Sequence, residues 1–302
     1  MIFSTAAYLV MTLLFAVSAP ALVRRVHPAR GVRLIVPAAL GFAGAGLFVL
    51  AANAMTWAAQ RPDVAELGDW STSKLRLHDP VPRALAVLSA SLLTASLVSM
   101  TVVAVRRARA LREIRNVVRA CGAPGDLVLL DDQRPDAFTT PGRGGRIVVT
   151  SGLMNALSAR EQTALIAHER SHRCHRHAWW VLAADLAAAV NPLLRPIARS
   201  TAHAVERWAD EDAATEVGDR RLVAHAVARA SLLHKRGIEF ATALVLAATG
   251  GNLPARVQAL LDNRPRRDGF AATMLVLMVL GAAIAVLGMQ RSADAVFDAA
   301  SR

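Results

Sequence analysis

Cysteine is scarce, which removes one class of architecture. The 302 residues hold two, Cys121 and Cys174, too few for a disulfide framework. Both are expected as free thiols. Tyrosine is scarcer, with Tyr8 alone. Acidic side chains number 23 against 35 Lys and Arg, for a net charge of +12. A nucleic-acid-binding face would spread that charge over one surface; here it gathers beside apolar runs, so direct nucleic-acid binding is not expected. Charge is missing altogether from residues 2–23, 34–60, 84–105 and 270–290. Each stretch reaches or exceeds the ~20 residues that a bilayer-crossing helix needs. At 54% hydrophobic, the chain is too apolar for an ordinary soluble domain.

The arginines orient these stretches. Arg24, Arg25, Arg30 and Arg33 follow the first, and Arg106, Arg107, Arg109, Arg112, Arg115 and Arg119 follow the third. Excess positive charge marks cytoplasmic loops and attracts anionic lipid. Residues 61–83 carry mixed charge and suit the outer side. The expected order is three spans in 1–105, a cytoplasmic domain over 106–269, a fourth span at 270–290 and a short outer tail, 291–302. No basic residue precedes the first run, so it is expected to be an anchor rather than a cleaved signal peptide. Gly41, Gly44 and Gly46 permit close helix packing in the second run, and Asn53 is expected to bond between helices.

Within 106–269, a basic helix is expected to about Ala120, then strands near 127–130, 137–140 and 146–150, set off by Pro–Gly and Gly–Gly turns. Further helices are expected over 197–218 and 221–235, with an amphipathic segment at 256–261. Phe240–Ala248 is apolar but too short to cross a membrane, and 264–267 is a basic stop before the last span. Strands followed by helices indicate an α+β unit.

The chemistry concentrates at His168-Glu169-Arg170-Ser171-His172. On a helix, residues four apart share a face, so His168 and His172 can grip one ion while Glu169 reaches a water beside it. This spacing marks zinc-dependent peptide hydrolysis. Ser158 and Glu161 form a capping box that starts the helix. The helix is expected to continue past His177 into the apolar residues 178–190, which read as buried or interfacial. His175 and His177 are expected to face away from His168, toward solvent or lipid. Cys174 also points off the metal face.

A catalytic zinc takes three protein ligands and keeps one open position. A third His ten residues after the first is lacking, because that position is Ala178. The best candidate is Glu206, with Asp210 four residues on. One carboxylate can hold metal while the other orients a ligand imidazole. His203 is the competing third ligand. As oxyanion donors, Tyr8 is excluded by its place in the first span; His203, Arg207 and His225 remain on donor chemistry alone.

Together, His168-Glu169-x-x-His172, Glu206-x-x-Ala-Asp210 and the segment Asp136-Ala-Phe138 to Ile147-Val-Val-Thr-Ser-Gly152 resemble the integral-membrane zinc peptidases of the gluzincin type. Two branches are close, BlaR/MecR-like signalling peptidases and HtpX-like quality-control proteases. Asn191-Pro192, Arg256 to Leu261 and the span layout look more like the first. Two departures stand out. Arg170 replaces the usual Leu, and Asp136 replaces the usual Asn. Only residues 291–302 follow the fourth run, where BlaR-like sensors carry a penicillin-binding domain, so direct β-lactam sensing is not expected.

The resemblance implies a mainly α membrane protein with four transmembrane helices and a zincin-type domain between spans three and four. It implies one Zn2+ per chain at His168, His172 and Glu206, Glu169 as base, and Asp210 behind the ligands. The expected activity is endoproteolysis at the cytoplasmic face of the plasma membrane, in regulatory signalling, with a BlaI-like repressor as substrate. Membrane-protein quality control is the near alternative. A scaffold or receptor subunit with structural zinc is the alternative of another class. Expected partners are a protein or peptide substrate, the lipid bilayer and a second copy of the chain.

Overall fold

The computed structural model describes residues 2–66, 71–78, 81–120, 125–142, 145–237, 253–262 and 268–301. Cys121, the apolar run 240–248 and the basic stop 264–267 lie outside these. The described chain is mostly helical, with one small sheet.

Among the described residues, three helices are long and apolar enough to cross a membrane: α1 (Ile2–Val23), α2 (Pro28–Ala58) and the apolar part of α5 (Arg83–Ala120). These fit a membrane-anchored protein. Two short helices, α3 (Pro62–Ala65) and α4 (Thr72–His78), join α2 to α5. Pro28 at the start of α2 needs no N–H partner there, so that helix begins within the arginine cluster. The third apolar run and the basic segment after it form one unbroken helix, α5.

Side-chain packing joins α1 to α2. Phe15 stacks on Phe42 with ring centroids 4.6 Å apart. The Tyr8 hydroxyl donates to the Phe42 carbonyl at 2.9 Å. Asn53 Nδ2 donates to Thr5 Oγ1 at 3.2 Å. Of Gly41, Gly44 and Gly46 in α2, only Gly46 is closely faced by another helix, through Tyr8; Gly41 and Gly44 have no atom near a would-be Cβ.

Beyond α5 come β1 (Leu127–Leu130), β2 (Ala137–Thr139) and β3 (Ile147–Thr150). β3 is central, parallel to β1 and antiparallel to β2. Its β-branched residues alternate faces, as a strand requires. Val148 packs with Val118 and Val128. Ile147 and Val149 pack with Leu153, Leu157 and Leu165. Leu153 belongs to a short helix, α6 (Ser151–Ala156).

The motif helix α7 (Ala159–Cys174) starts at the Ser158–Glu161 capping box. It does not run on into the apolar residues. The chain breaks at His175 and Arg176, and Arg176 takes the left-handed conformation at φ 53°. A separate helix, α8 (His177–Val190), starts there. Its Ala184, Ala187, Ala188 and Val190 are buried in the same apolar cluster as α1 and α2. Ser96 Oγ of α5 donates to the Val190 carbonyl at 2.7 Å, and Arg107 pairs with Asp185.

One 3₁₀ turn (Pro192–Leu194) leads to α9 (Arg195–Val217), closed by Gly218 at φ 73°. α9 serves two layers. Ala204, Val205 and Trp208 sit in the cluster with α1, α2 and α8. Ala213 and Ala214 pack with Ala164 and Ala167 of α7 and with Val223 of α10 (Arg220–Gly237). The last described helices are α11 (Leu253–Leu261), which packs on α9 and α10, and α12 (Asp268–Ser301), which packs on α1 and α2.

Candidate metal centre and peptidase site

α7 and α9 cross so that their polar faces meet. His168, Glu169 and His172 come from α7; Glu206 and Asp210 come from α9. His168 Nε2 lies 3.1 Å from His172 Nε2. Glu206 stands opposite both, 3.6 Å from His168 Nε2 and 3.7 Å from His172 Nε2. Among the described residues these three gather donor atoms within 4.8 Å of one another.

The donor set fits zinc. Two imidazoles and one carboxylate are the His₂Glu set of catalytic sites, with each donor about 2.0–2.1 Å from a tetrahedral ion. Such an ion sets its donors roughly 3.3 Å apart, and the three separations bracket that value.

The carboxylates are held from behind. Arg256 of α11 donates to Asp210 through Nε (2.8 Å to Oδ2) and Nη2 (2.7 Å to Oδ1). Its Nη1 lies 3.0 Å from Glu206 Oε2. All three residues are buried. Asp210 Oδ1 sits 3.0 Å from His168 Nδ1, close but imperfectly aligned for a hydrogen bond. Burial pushes the Glu206 and Asp210 carboxyls up, but the Arg256 charge and the histidines outweigh it and hold both below the usual range. Burial pushes His168 down, yet its contacts with Asp210 and Glu206 raise it to about 10. For His172 burial prevails and lowers it.

Glu169 is buried beside the two histidines. The Thr139 hydroxyl faces Glu169 Oε2 at 2.9 Å and the Glu169 carbonyl at 3.0 Å, both acceptors. Strand β2 therefore fixes the Glu169 carboxylate. A cavity of about 410 Å³ opens at this point. Its walls include Leu111 and Ile114 of α5, Phe138 of β2 and Val181 and Leu182 of α8.

Residues 104–188 match the family model described as Peptidase family M48. That match indicates a metallopeptidase, and zinc is general to the family. The matched stretch holds the sheet and His168, Glu169 and His172. It ends before Glu206, Asp210 and Arg256. No curated protein and no solved structure gives a significant match.

The remaining candidates are placed elsewhere. His203 is exposed on α9. His225 Nδ1 lies 2.8 Å from Glu161 Oε1, with its side chain 70% exposed. Neither these two nor Arg207 lines the cavity. Cys174 is exposed. His175 Nε2 lies 3.0 Å from Asp212 Oδ2, and its ring packs on Trp208.

His177 departs furthest from expectation. It is 1% exposed, neither solvated nor lipid-facing. The break at Arg176 swings it back toward α7, and its Nδ1 lies 3.0 Å from His172 Nδ1. Burial, with the neighbouring imidazoles, pushes it down to about 2.

Two other cavity residues are not site candidates by spacing. Arg256 is remote in sequence from both carboxylates it grips. His234 of α10 lies with Nδ1 3.3 Å from Asp136 Oδ1, while its buried Nε2 has no partner among the described residues. Asp136 is itself fixed, because its N–H donates to Thr150 Oγ1 at 2.9 Å and its carboxylate accepts from Ala137 N–H at 2.9 Å. Burial pushes the Asp136 carboxyl up, the charge of Glu169 adds to that, and His234 opposes it.

Proposed function

We propose that the chain is a membrane-anchored zinc endopeptidase. The observation that carries this is the convergence of His168, His172 and Glu206 beside Glu169, at a cavity large enough for extended peptide. Zinc held by those three residues supplies Lewis acidity toward a carbonyl oxygen and brings water ionisation near neutrality.

The chain's own residues do the rest. Glu169 takes the proton of the attacking water and delivers it to the leaving amine. Thr139 keeps the Glu169 carboxylate turned toward the site. Arg256 keeps Glu206 ionised and therefore able to ligate. β2 has β3 on one side only among the described strands. An extended substrate adding to the other edge would lie along the cavity, as in strand-addition recognition. His234 supplies the donor for the carbonyl oxygen as it gains negative charge. His203, Arg207 and His225 keep the donor chemistry without that location.

The wider assignment follows from the sequence. α12 is the fourth span, the arginine clusters place residues 106–269 on the cytoplasmic side, and the membrane is the plasma membrane. The role is regulatory cleavage, with a BlaI-like repressor as the substrate that the resemblance suggests. A structural-zinc scaffold is disfavoured by the poised base and by a cluster that opens into a cavity, since structural zinc sites are closed by four ligands.

Full-length protein in detergent should bind one zinc and cleave casein or a repressor of that type. Glu169→Gln should keep the zinc and lose cleavage by at least ~100-fold. Cleavage by Glu169→Gln at the parent rate would overturn the proposal. A panel of repressor and misfolded membrane substrates separates signalling from quality control.

A further inference from the structure

The contact between His177 and His172 has no role in the chemistry above, yet it joins a candidate ligand to a nearly fully buried imidazole. His177 is 1% exposed and its ring packs 4.7 Å from that of Trp208. The chain reaches this position through Arg176 in the left-handed conformation, which costs a non-glycine residue about 1 kcal/mol. Without the break, α7 would carry residue 177 round to another face.

His172 turns Nε2 toward His168 and Glu206, and Nδ1 toward His177. A histidine that ligates through Nε2 carries its proton on Nδ1. That N–H needs an acceptor to set the ring's rotation, a task usually done by a carboxylate or a carbonyl. The atom within reach is His177 Nδ1, at 3.0 Å. For it to accept, His177 must carry its own proton on Nε2.

We infer that His177 is a positioning residue for the metal: its bare Nδ1 accepts the Nδ1–H of His172 and so aims His172 Nε2 at the ion. The inference rests on the zinc-peptidase reading for its site but not for its reaction. His168 has its carboxylate partner in Asp210. The two ligand histidines are therefore oriented by unlike groups, an anion behind one and an imidazole behind the other.

Zinc affinity tests this without any assay of cleavage. In the full chain in detergent, zinc is titrated against a chromophoric chelator, and the rate of zinc loss to that chelator is followed. His177→Phe keeps an aromatic ring against Trp208 but offers no acceptor, and should bind zinc ~10–100-fold more weakly. His177→Asp restores an acceptor and should return affinity to within a few-fold of the parent, at equal zinc stoichiometry. Parent-like affinity in His177→Phe overturns the inference. So does an equal loss in both variants, because that is the mark of packing alone. A parent that binds zinc but cleaves nothing defeats the peptidase proposal, while the affinities still decide this one.

Discussion

Arg256 grips Asp210 with two nitrogens and Glu206 with the third. Its guanidinium touches both buried carboxylates from one side, and the His168 ring, raised to about 10 by the same two groups, touches them from the other. Removing Arg256 leaves His168 facing two buried anions alone, and breaking a buried ion pair in this way costs roughly 3–5 kcal/mol. Arg256→Met should therefore melt far below the parent when zinc is chelated, and zinc should restore more of its stability than it adds to the parent. Arg256→Lys should recover only part, since one ammonium cannot reproduce the three-point fork. Equal melting of Arg256→Met and the parent under chelation would contradict the arrangement.

His234 and Asp136 make a separable prediction. If His234 stabilises the oxyanion, His234→Leu should lower kcat by ~100–1,000-fold. KM and zinc content should stay near those of the parent, since neither residue belongs to the metal cluster. Asp136→Asn should fall between the two. A change confined to KM would point to substrate binding instead.

The capping box of α7 should be visible in acid. Burial pushes Glu161 up, but the Ser158 N–H and hydroxyl, His225 and Arg229 outweigh it, lowering it from 4.5 to about 2. A depressed carboxyl contributes stability that is complete above pH 4.5 and is lost as the pH falls toward 2. Thermal midpoints of the parent should fall faster across that window than those of Glu161→Gln, which begins lower. Parallel curves would assign the acid loss to other carboxylates, such as Asp210.

Gly152 is a packing test at the junction of β3 and α6. A Cβ there would fall within 2.9 Å of three backbone atoms of Gln133, whereas one at Gly44 would meet nothing within 4 Å. Gly152→Ala should cost about 1–3 kcal/mol, as overpacking does. Gly44→Ala should leave the melting curve unchanged. Similar curves for the two variants would show that the 133–152 contact yields easily.

Local rules made much of this fold legible. The Ser158–Glu161 box marks the start of α7, β-branched residues mark β3, and the i, i+4 spacings put two imidazoles on one helix and two carboxylates on another. What escaped was tertiary. No glycine, proline or asparagine flags the break at Arg176, so helical periodicity carried the residues after it to the wrong face. The left-handed turn persists because burying α8 among α2, α5 and α9 outweighs its local cost. Arg256 and His234 act across long stretches of chain, and no spacing rule links them to Asp210 or Asp136.

α9 is shared property. Val205 and Trp208 belong to the apolar cluster of the anchor helices, while Glu206 and Asp210, on adjoining positions, belong to the metal centre. The half that carries the candidate site is thus not severable. A fragment cut after α5 would bare the faces of α8 and α9 that α1 and α2 now cover, and would lose the footing of its own third ligand. The anchor is a wall of the candidate site, and the smallest unit that keeps this arrangement includes it.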